Sequence, residues 1–484
     1  MPVVGHTEVR RVPRPAPAAV EALEGRRLLA ATFYVAISGD DNNPGTDPAA
    51  PWRTIQKAFD AATPGSTVNV AAGRYRERPV LNVSGNETDG FITFQAVGRA
   101  VISAKKVPGA DVVSINNRAY VKIVGFEIRD NLKVSNGSGI RLTEANRFIE
   151  IRNNRITNMK GTNAMGITVY GTDPVAGISN LVIDGNEVFK ITPGPSEAIV
   201  LNGNVHDFVV SNNYVHQVNN IGIDVIGGEG RSPDPATDFA RNGQVVGNRV
   251  TRATFKGGGR DAAGVYVDGA ENVVVERNFV WRNDVGIEVN ALHPSRVASG
   301  IVVRDNVIAS NNGVGLSIGG TDLATGSVQG CSVTNNTLYR NDAKRTGGGE
   351  LRIQRASGNV VSNNIVSGRG GSLLVNAEPT AGANTLNYNL YFSPDGAGRA
   401  RFAWGRPAVS GFGAFRAASG QEAASVFANP LLDKPGKTDA HVLATSPAVN
   451  AGDPLFTGAV GEADVDNQPR VLGGRVDIGA DEAA

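Results

Sequence analysis

Hydrophobic and polar residues alternate in short segments along the middle of the chain. In AGVYVD (263–268), for example, Val265 and Val267 alternate with Tyr266 and Asp268. A period of two directs alternate side chains to opposite faces of a β-strand, whereas an amphipathic helix has a period near 3.6. Segments of the same kind are SGIRLT (138–143), MGITVY (165–170), EAIVLN (197–202), IGIDVI (221–226), VGIEVN (285–290), VGLSIG (314–319) and GELRIQ (349–354). The pattern predicts a series of short strands, each with one apolar face.

A second set of strand-like segments interleaves with the first, and each of these contains an asparagine. The asparagines are Asn154, Asn186, Asn213, Asn248, Asn278, Asn306, Asn336 and Asn364, at intervals of 27 to 35 residues. Recurring segments with variable spacing are typical of a solenoid whose loops differ between turns. We therefore predict an all-β fold, a parallel β-helix whose coils stack about 4.8 Å apart. Each asparagine is expected at a bend, in the left-handed backbone conformation, with its amide in a ladder between coils.

The ends of a solenoid need a cover, because an open coil exposes the core and unpaired strand edges. The segment PWRTIQKAFDAATPG (51–65) fits an amphipathic helix with Trp52, Ile55, Phe59 and Ala62 on one face. The Pro-Gly pair at its end is expected to stop the helix. We therefore predict an N-terminal capping helix.

The chain divides into four parts in this interpretation. Residues 1–31 form an N-terminal targeting or disordered segment, and residues 32–110 contain the N-terminal cap and the first coils. Residues 111–385 form the parallel β-helix. The repeat fades from about residue 385, so residues 386–484 are expected to form a turn-rich C-terminal accessory segment.

Composition narrows the class of protein further. The chain has 484 residues, a formal net charge of +1 and 60 glycines, which suits many short strands and tight turns. The near-neutral charge argues against a nucleic-acid partner, and no apolar run approaches the roughly 20 residues of a transmembrane helix. The single cysteine, Cys331, excludes an intrachain disulfide and is expected to be a small buried residue. We expect a monomer.

The N-terminal segment contains the sequence EALEGRRLLAA at 21–31. This sequence resembles a short export-associated motif of planctomycete surface proteins, written L-E-x-R-x-L-L. The matching residues are Leu23, Glu24, Arg26, Leu28 and Leu29. The resemblance implies a secreted or cell-surface protein, and a disordered tail without function is the alternative.

The stretch at 32–77 closely resembles the opening of a right-handed parallel β-helix family that includes pectate lyases of the calcium-and-lysine type. The matching pieces are FYV, SGDDNNPGT, PWRTIQKA, PGSTVNV and AGRYRE. SPAVNAGDP (446–454) and DVDNQPRVLGGRVDIGADE (464–482) resemble the tail of secreted bacterial β-helix proteins. The resemblance implies a right-handed β-helix. The lyase mechanism does not carry over intact, because VGLSIGG (314–320) has Ser317 in place of the family's lysine and the family's aspartate cluster is missing.

Strand alternation predicts two columns of side chains on the outer face of the β-helix. Asp224, Tyr266 and Glu288 form one column, and Asp268 and Asn290 lie in the next. Coil spacing puts the backbones of Asp268 and Glu288 roughly 8 Å apart, and those of Asp224 and Glu288 about 9.6 Å apart. Several carboxylates are therefore expected to share one wall of the solenoid.

Carboxylates at this separation support two kinds of chemistry. They can act as acid and base on a glycosidic bond, for which an inverting hydrolase needs about 6.5–9.5 Å. Alternatively, with Asn202 and Asn290 as further donors, they can hold Ca²⁺, which would acidify a C–H beside a uronate carboxylate for β-elimination. The predicted metal ligands are Asp224, Asp268 and Glu288. The predicted catalytic residues are Asp268, Glu288, Lys256 and His293, and the predicted substrate-binding residues are Tyr266, Asn290, Asn202 and Arg260.

The longest insertion separates the segments at 221–226 and 263–268, and long insertions on a regular scaffold tend to build binding walls. It contributes Lys256 and Arg260, and the loop after the next strand contributes His293. Residues further along the same face that fit an anionic chain are Arg141, Arg352 and Gln354. The opposing interpretation is that the outer face of any soluble solenoid carries polar residues.

Three functions therefore remain open for this sequence. The first is an exported carbohydrate-active protein that acts on an acidic polysaccharide by Ca²⁺-assisted, pectate-lyase-like β-elimination. The second is an inverting glycoside hydrolase that uses Asp268 and Glu288 as its paired carboxylates. The third is a non-catalytic surface protein that binds glycans or mediates adhesion.

Overall fold

The computed structural model describes residues 31–256, 261–320, 324–405, 407–434, 440–459 and 461–483. The N-terminal motif from Leu23 to Leu29 and the predicted substrate-binding residue Arg260 lie outside these ranges. Within them the chain is nearly all β, a parallel β-solenoid of about 12 turns with two short helices, α1 (Ile55–Ala61) and α2 (Phe412–Ser419). The predicted parallel β-helix is confirmed.

The strands of the described residues are numbered in chain order. The first group, β1 to β13, comprises Thr32–Val35, Thr67–Tyr75, Val80–Leu81, Ile92–Ser103, Val113–Asn116, Ala119–Val124, Glu127–Val134, Gly137–Thr143, Asn146–Arg152, Arg155–Gly161, Ala164–Gly171, Ile178–Asp184 and Glu187–Thr192. The second group, β14 to β27, comprises Ile199–Gly203, Val205–Ser211, Tyr214–Val218, Ile223–Ile226, Arg241–Val246, Arg249–Ala253, Ala263–Asp268, Glu271–Glu276, Phe279–Trp281, Val285–Asn290, Val297–Ser299, Val302–Arg304, Val307–Ala309 and Leu316–Ile318. The third group, β28 to β40, comprises Ser327–Gln329, Ser332–Thr334, Thr337–Tyr339, Leu351–Ile353, Ala356–Ser357, Val360–Ser362, Ile365–Ser367, Leu373–Ala377, Thr385–Asn387, Leu390–Phe392, Arg401–Trp404, Val409–Ser410 and Val426–Phe427.

Two long sheets build the walls of the solenoid. A 13-stranded sheet runs β3-β5-β8-β11-β14-β17-β20-β23-β27-β31-β35-β38-β39, and the remaining strands form a 27-stranded sheet. Each strand of the first sheet from β5 to β35 pairs in parallel with its counterparts one coil away, as β17 does with β20 and β20 with β23. Residues that are 22 positions apart, as Val265 and Ile287 are, or 42 positions apart, as Ile223 and Val265 are, thereby become neighbours.

The core lies between the two sheets and is continuous along the solenoid. Val265, Ile287, Leu316 and Leu351 follow one another in register on β20, β23, β27 and β31, and each is at most 1% exposed. Full burial of such a side chain contributes about 1.5–3 kcal/mol. Because the apolar residues of every coil stack on those of the next, the predicted inward face is confirmed.

The predicted asparagine ladder is confirmed, with a correction to its backbone. Each Nδ2 donates to the Oδ1 of the asparagine one coil on at 2.9–3.1 Å, from Asn154 to Asn389. The left-handed conformation belongs to the preceding residue, not to the ladder asparagine itself. Those residues are Asn153, Gly185, Asn212, Gly247, Arg277, Asp305, Asn335 and Asn363. The ladder position keeps ordinary backbone because its side chain must point inward.

Both ends of the solenoid are covered. Helix α1 is shorter than predicted: Thr54 is its N-cap, and Trp52 lies before it, stacked on Phe33 with ring centroids 4.7 Å apart. At the other end, parallel pairing continues beyond residue 385 to β40, and Phe415 of α2 stacks on Phe402 of β38.

The segment after β40 packs along the outside of the 27-stranded sheet. Asn335 Nδ2 donates to the Asp477 carbonyl at 3.1 Å, and the Ala480 amide donates to Thr337 Oγ1 at 3.0 Å. Cys331 is buried and free, as predicted. Neither helix of the described residues is long and apolar enough to cross a membrane.

Candidate functional site

The predicted columns exist on the outer side of the 13-stranded sheet. Asp224 lies opposite Tyr266, and Tyr266 lies opposite Glu288, on β17, β20 and β23. Ser317 and Arg352 continue this column on β27 and β31. The alignment is confirmed because parallel pairing without a shift between these strands keeps equivalent positions in line; the roles of the residues stay predictions.

The neighbouring column contains the second set of predicted residues. Asn202 on β14 is followed by Ile226, Asp268 and Asn290 on the next three strands. Asn290 Nδ2 donates to the Tyr266 hydroxyl at 3.0 Å, which joins the two columns. This hydrogen bond fixes the orientation of both side chains.

The strand alternation predicted that these side chains face outward, but they do not form an open surface. Asp224, Asp268 and Glu288 are 2%, 3% and 6% exposed. Part of the insertion after β17 lies beside this wall, where Gly227 forms an antiparallel bridge with Phe239 and Glu229 is bonded to Asn202 of β14. The three carboxylates are therefore buried in low-dielectric surroundings, which period-two alternation alone does not indicate.

Further acidic residues join Asp224 and Asp268. Glu197 precedes β14, and Glu229 belongs to the insertion, where its Oε2 accepts a hydrogen bond from Asn202 Nδ2 at 2.7 Å. We call Glu197, Asp224, Glu229, Asp268 and Asn202 the acidic pocket. Its carboxyl groups act on one another electrostatically, since Glu197, Asp268 and Glu229 each raise the pKa of Asp224.

Burial and mutual repulsion raise the pKa values in the acidic pocket. Burial is the largest cause for Asp224, whose pKa lies well above its usual range. Burial, followed by repulsion from Glu229, raises the pKa of Glu197 to about 8. Burial raises the pKa of Asp268 to about 6, against the opposing effects of the Leu292 amide and His293. Arg231, whose Nη2 lies 3.7 Å from Glu229 Oε2, partly opposes the rise in the pKa of Glu197, so one cation faces four carboxyl groups in the acidic pocket.

Two buried oxygens in the acidic pocket have no hydrogen-bond partner among the described residues. They are Asp224 Oδ1 and Asn202 Oδ1, on side chains that are 2% and 1% exposed. A buried polar atom without a partner costs about 1–3 kcal/mol, so its persistence needs an explanation. Carboxylate and amide oxygens are the ligands that Ca²⁺ prefers, and the residues of the acidic pocket fit this ion.

Glu288 faces a different space. It lines a cavity of about 320 Å³ with Asp261, Arg352, Asn376 and Glu378. Arg352 Nη2 lies 3.6 Å from Glu288 Oε1. Burial raises the pKa of Glu288 to about 7, although Arg352 opposes this shift. Glu288 is thus a carboxyl group that changes protonation near neutral pH and touches open space.

The other predicted residues are spread around these two spaces. His293 is partly exposed and close enough to Asp268 to lower its pKa. Lys256 is exposed, and its backbone amide donates to Asn219 Oδ1 at 3.0 Å. Two residues noted for anion binding already have acidic partners. Arg141 Nε donates to Asp111 Oδ1 at 2.8 Å, and Gln354 Nε2 donates to Glu378 Oε1 at 2.8 Å.

Sequence reasoning missed Glu197. This residue begins EAIVLN, at the position where the next three segments of the 13-stranded sheet have Ile221, Ala263 and Val285. The available signal was a charged residue at a position that is apolar in those three segments.

Comparison with known proteins agrees with the fold and identifies the family. Residues 197–339 match the family described as the right handed beta helix region, and residues 37–80 match a family of unknown function, DUF1565. These matches define the class as a right-handed parallel β-helix protein. The chain is 34% identical over 441 residues to "Uncharacterized protein YwoF" of Bacillus subtilis (strain 168). The aligned region covers 86% of this chain and 92% of YwoF. The chain belongs to the same family as YwoF.

Solved structures with the same fold share little sequence with this chain. XylC, solved in complex with xylose, is 13% identical with a TM-score of 0.55, covering 83% of this chain and 87% of XylC. The pectate lyase Pel9A is 16% identical with a TM-score of 0.48, covering 94% of this chain and 96% of the lyase. At such low identity, the likeness to XylC shows the fold alone.

Proposed function

We propose that the acidic pocket binds Ca²⁺ and that the protein acts on an acidic polysaccharide by β-elimination. The observation that carries this proposal is the pair of buried oxygens without partners, Asp224 Oδ1 and Asn202 Oδ1. They belong to the adjacent strands β14 and β17, and Asp268 follows on β20. Glu229 adds a carboxylate from the insertion. An ion with several oxygen ligands satisfies both orphaned atoms and neutralises the excess of negative charge.

Bound Ca²⁺ would neutralise a uronate carboxylate and acidify the neighbouring C–H. The chain must supply a base for that proton. We assign this role to His293, because its imidazole lies at the edge of the acidic pocket beside Asp268. A ring nitrogen takes the proton from carbon, the C–H electron pair forms the C=C bond, and the glycosidic C–O bond breaks. The leaving oxygen takes a proton from solvent.

Arg352 supports an acidic substrate. Its guanidinium lines the cavity beside the acidic pocket and can bind a carboxylate of the next sugar through charge-assisted hydrogen bonds. Tyr266 and Asn290 are buried and bonded to each other, so we assign them to the wall between the two spaces rather than to stacking on a sugar. We retain the proposal that the protein is secreted or displayed on the cell surface, where such polymers occur.

Glu288 favours a second candidate function, glycoside hydrolysis. A general acid must hold its proton at working pH, and the pKa of Glu288 is raised to about 7 by burial. Asp268 lies in the next column one strand before it and carries the base role in this alternative. The hydrolase needs no cation, which separates the two candidates experimentally.

The experiment uses the full-length protein with polygalacturonate and alginate as substrates. Absorbance near 235 nm reports the unsaturated product of a lyase, and a reducing-end assay reports cleavage of either kind. We expect the absorbance to appear with Ca²⁺, to disappear in EGTA, and to fall at least about a hundredfold in Asp224→Asn. Asp207→Asn, an exposed aspartate on β15, is the matched control and should retain full activity.

Each other result has a defined meaning. Reducing ends without absorbance, lost in Glu288→Gln and unaffected by EGTA, would replace the lyase with the hydrolase. Lyase activity that persists in Asp224→Asn and in EGTA would overturn the role of the acidic pocket. Glycan binding without either product would leave the non-catalytic surface protein.

A further inference from the structure

The C-terminal segment brings together three side chains of a kind that binds metal ions. His441, Asp466 and Asp481 each offer one ligand atom, and these atoms all lie within 4.8 Å of one another. His441 Nε2 lies 2.6 Å from Asp466 Oδ2. The three residues come from separate stretches of chain, so their meeting is produced by the tertiary structure rather than by a local turn.

Backbone hydrogen bonds fix the Asp481 carboxylate and the main chain at Asp466. Asp481 Oδ2 accepts the amide of Val442, the residue after His441, at 2.8 Å. The Asp466 amide donates to Asp464 Oδ1 at 2.9 Å. The cluster is therefore organised before any ligand arrives, which lowers the cost of binding.

The charge of the cluster is unbalanced. Asp481 is 5% exposed, and the Val442 amide is its one hydrogen-bond donor among the described residues. Within the part of the chain that the structure describes, no lysine or arginine pairs with Asp481 or Asp466. The nearby Asp464 is fully buried, and its oxygens accept amides of Asp466, Gln468 and Glu482. The cluster itself thus holds two carboxylates and one imidazole, with Asp464 as a further carboxylate nearby.

We propose that His441, Asp466 and Asp481 bind a divalent transition-metal ion of the Zn²⁺ class. An imidazole nitrogen with two carboxylates suits Zn²⁺ and its neighbours, whereas Ca²⁺ prefers oxygen ligands only. At metal–ligand bonds of about 2.0–2.2 Å, the ligand atoms stand roughly 3.3–3.6 Å apart in a tetrahedral site. The ion replaces the hydrogen bond between His441 and Asp466, and water takes the fourth position. Both of these side chains are about two-fifths exposed, so the ion can enter from solvent.

The site would fasten the C-terminal segment to itself. Asp481 adjoins Ala480, whose amide donates to Thr337 Oγ1 of the solenoid. Asp466 lies four residues before Arg470, whose guanidinium is 3.4 Å from the carboxylate of the buried Asp305. A metal bridging residues 441, 466 and 481 ties these attachments into one unit. This inference is independent of the acidic pocket, which lies on the 13-stranded sheet.

The test measures binding of Zn²⁺, and of Co²⁺ as its spectroscopic substitute, to chelator-treated full-length protein. Titration calorimetry is expected to give one equivalent of Zn²⁺, and Co²⁺ should give visible d–d absorption bands. His441→Gln and Asp466→Asn should each weaken binding by more than about tenfold, because each removes a ligand. His206→Gln is the matched control, since His206 pairs with Asp207 at 2.8 Å without a third ligand.

Two results would overturn the site. One is wild-type protein that takes up neither ion above the level of the His441→Gln variant. The other is Zn²⁺ binding that is lost in His206→Gln and retained in His441→Gln. Circular dichroism spectra that match the wild type would verify that the partly exposed His441 and Asp466 variants are folded, so a loss of binding cannot be attributed to unfolding.

Discussion

Replacing Asp268 with asparagine is expected to stabilise the protein above neutral pH. Burial raises the pKa of Asp268 to about 6 from 3.8, and the Leu292 amide and His293 only partly oppose this. The folded state therefore holds the proton more tightly than the unfolded state. The stability contributed by this group is complete below pH 3.8 and is lost as the pH rises through about 6. The interval between these values corresponds to about 3 kcal/mol.

Asparagine keeps the shape of the side chain and removes the charge. Its Oδ1 can accept the Leu292 amide, as Asp268 Oδ1 does at 2.6 Å. At pH 8 in EGTA, the free energy of unfolding of Asp268→Asn should exceed that of the wild type by up to about 3 kcal/mol, and the gain should vanish near pH 4. Urea unfolding followed by circular dichroism at several pH values measures the difference. The exposed Asp207→Asn control should change stability by less than about 0.5 kcal/mol.

The same pair of proteins tests whether the destabilising carboxylate serves a cation. At a Ca²⁺ concentration of about 100 times the Kd, the wild type should gain about 2.7 kcal/mol, and Asp268→Asn should gain less. A gain at pH 8 that persists unchanged at pH 4, or a variant less stable than the wild type at pH 8 in EGTA, would refute the electrostatic reasoning.

Three further predictions concern the scaffold. Asn248→Ala removes the Oδ1 that accepts hydrogen bonds from the backbone amide and the Nδ2 of Asn213, both at 3.0 Å. The free energy of unfolding should fall by about 2–5 kcal/mol. A loss no larger than that caused by Gln244→Ala, at an exposed position, would contradict the role of the ladder. Arg470→Met removes the guanidinium that lies 3.4 Å from the buried Asp305 carboxylate. Docking of the C-terminal segment should weaken by about 3 kcal/mol, so limited proteolysis should release the segment faster than from the wild type. An unchanged rate of cleavage would count against this attachment. Cys331 is 3% exposed and burial raises its pKa to about 11, so a thiol reagent should label it only after unfolding, and rapid labelling of native protein would contradict its burial.

The fold was predictable because a solenoid repeats its constraints in every coil. Val265 and Val267 face inward for the same reason as Ile287, and the asparagines recur because each bonds to the next. A second ladder, from Asn283 through Asn311 to Asn341, was not predicted, because it recurs in only three of the described coils and its repeat is short. The left-handed residue was assigned one position too late, because the sequence shows NN, GN, RN and DN pairs without revealing which member bends the chain.

The candidate site was predictable in its alignment but not in its surroundings. Strand register follows from period two, so Asp224, Tyr266 and Glu288 were assigned to one column. Whether their side chains meet solvent depends on how the insertion after β17 folds, and its sequence has no periodicity from which this can be inferred. Burial is the largest cause of the raised pKa values of Asp268 and Glu288, and alternation along a strand does not reveal it.

The sequence by itself determined the repeating strands, their inward and outward faces, and the order in which polar residues line the wall, because each of these depends on short-range alternation and on equal spacing between coils. Only the tertiary structure decided that the carboxylates are buried, that Glu197 and Glu229 join Asp224, and that Glu288 lines a separate cavity with Arg352. It also decided the meeting of His441, Asp466 and Asp481. The physical reason is that irregular loops and the C-terminal segment are positioned by contacts with the completed solenoid, and such contacts leave no periodic trace in the chain.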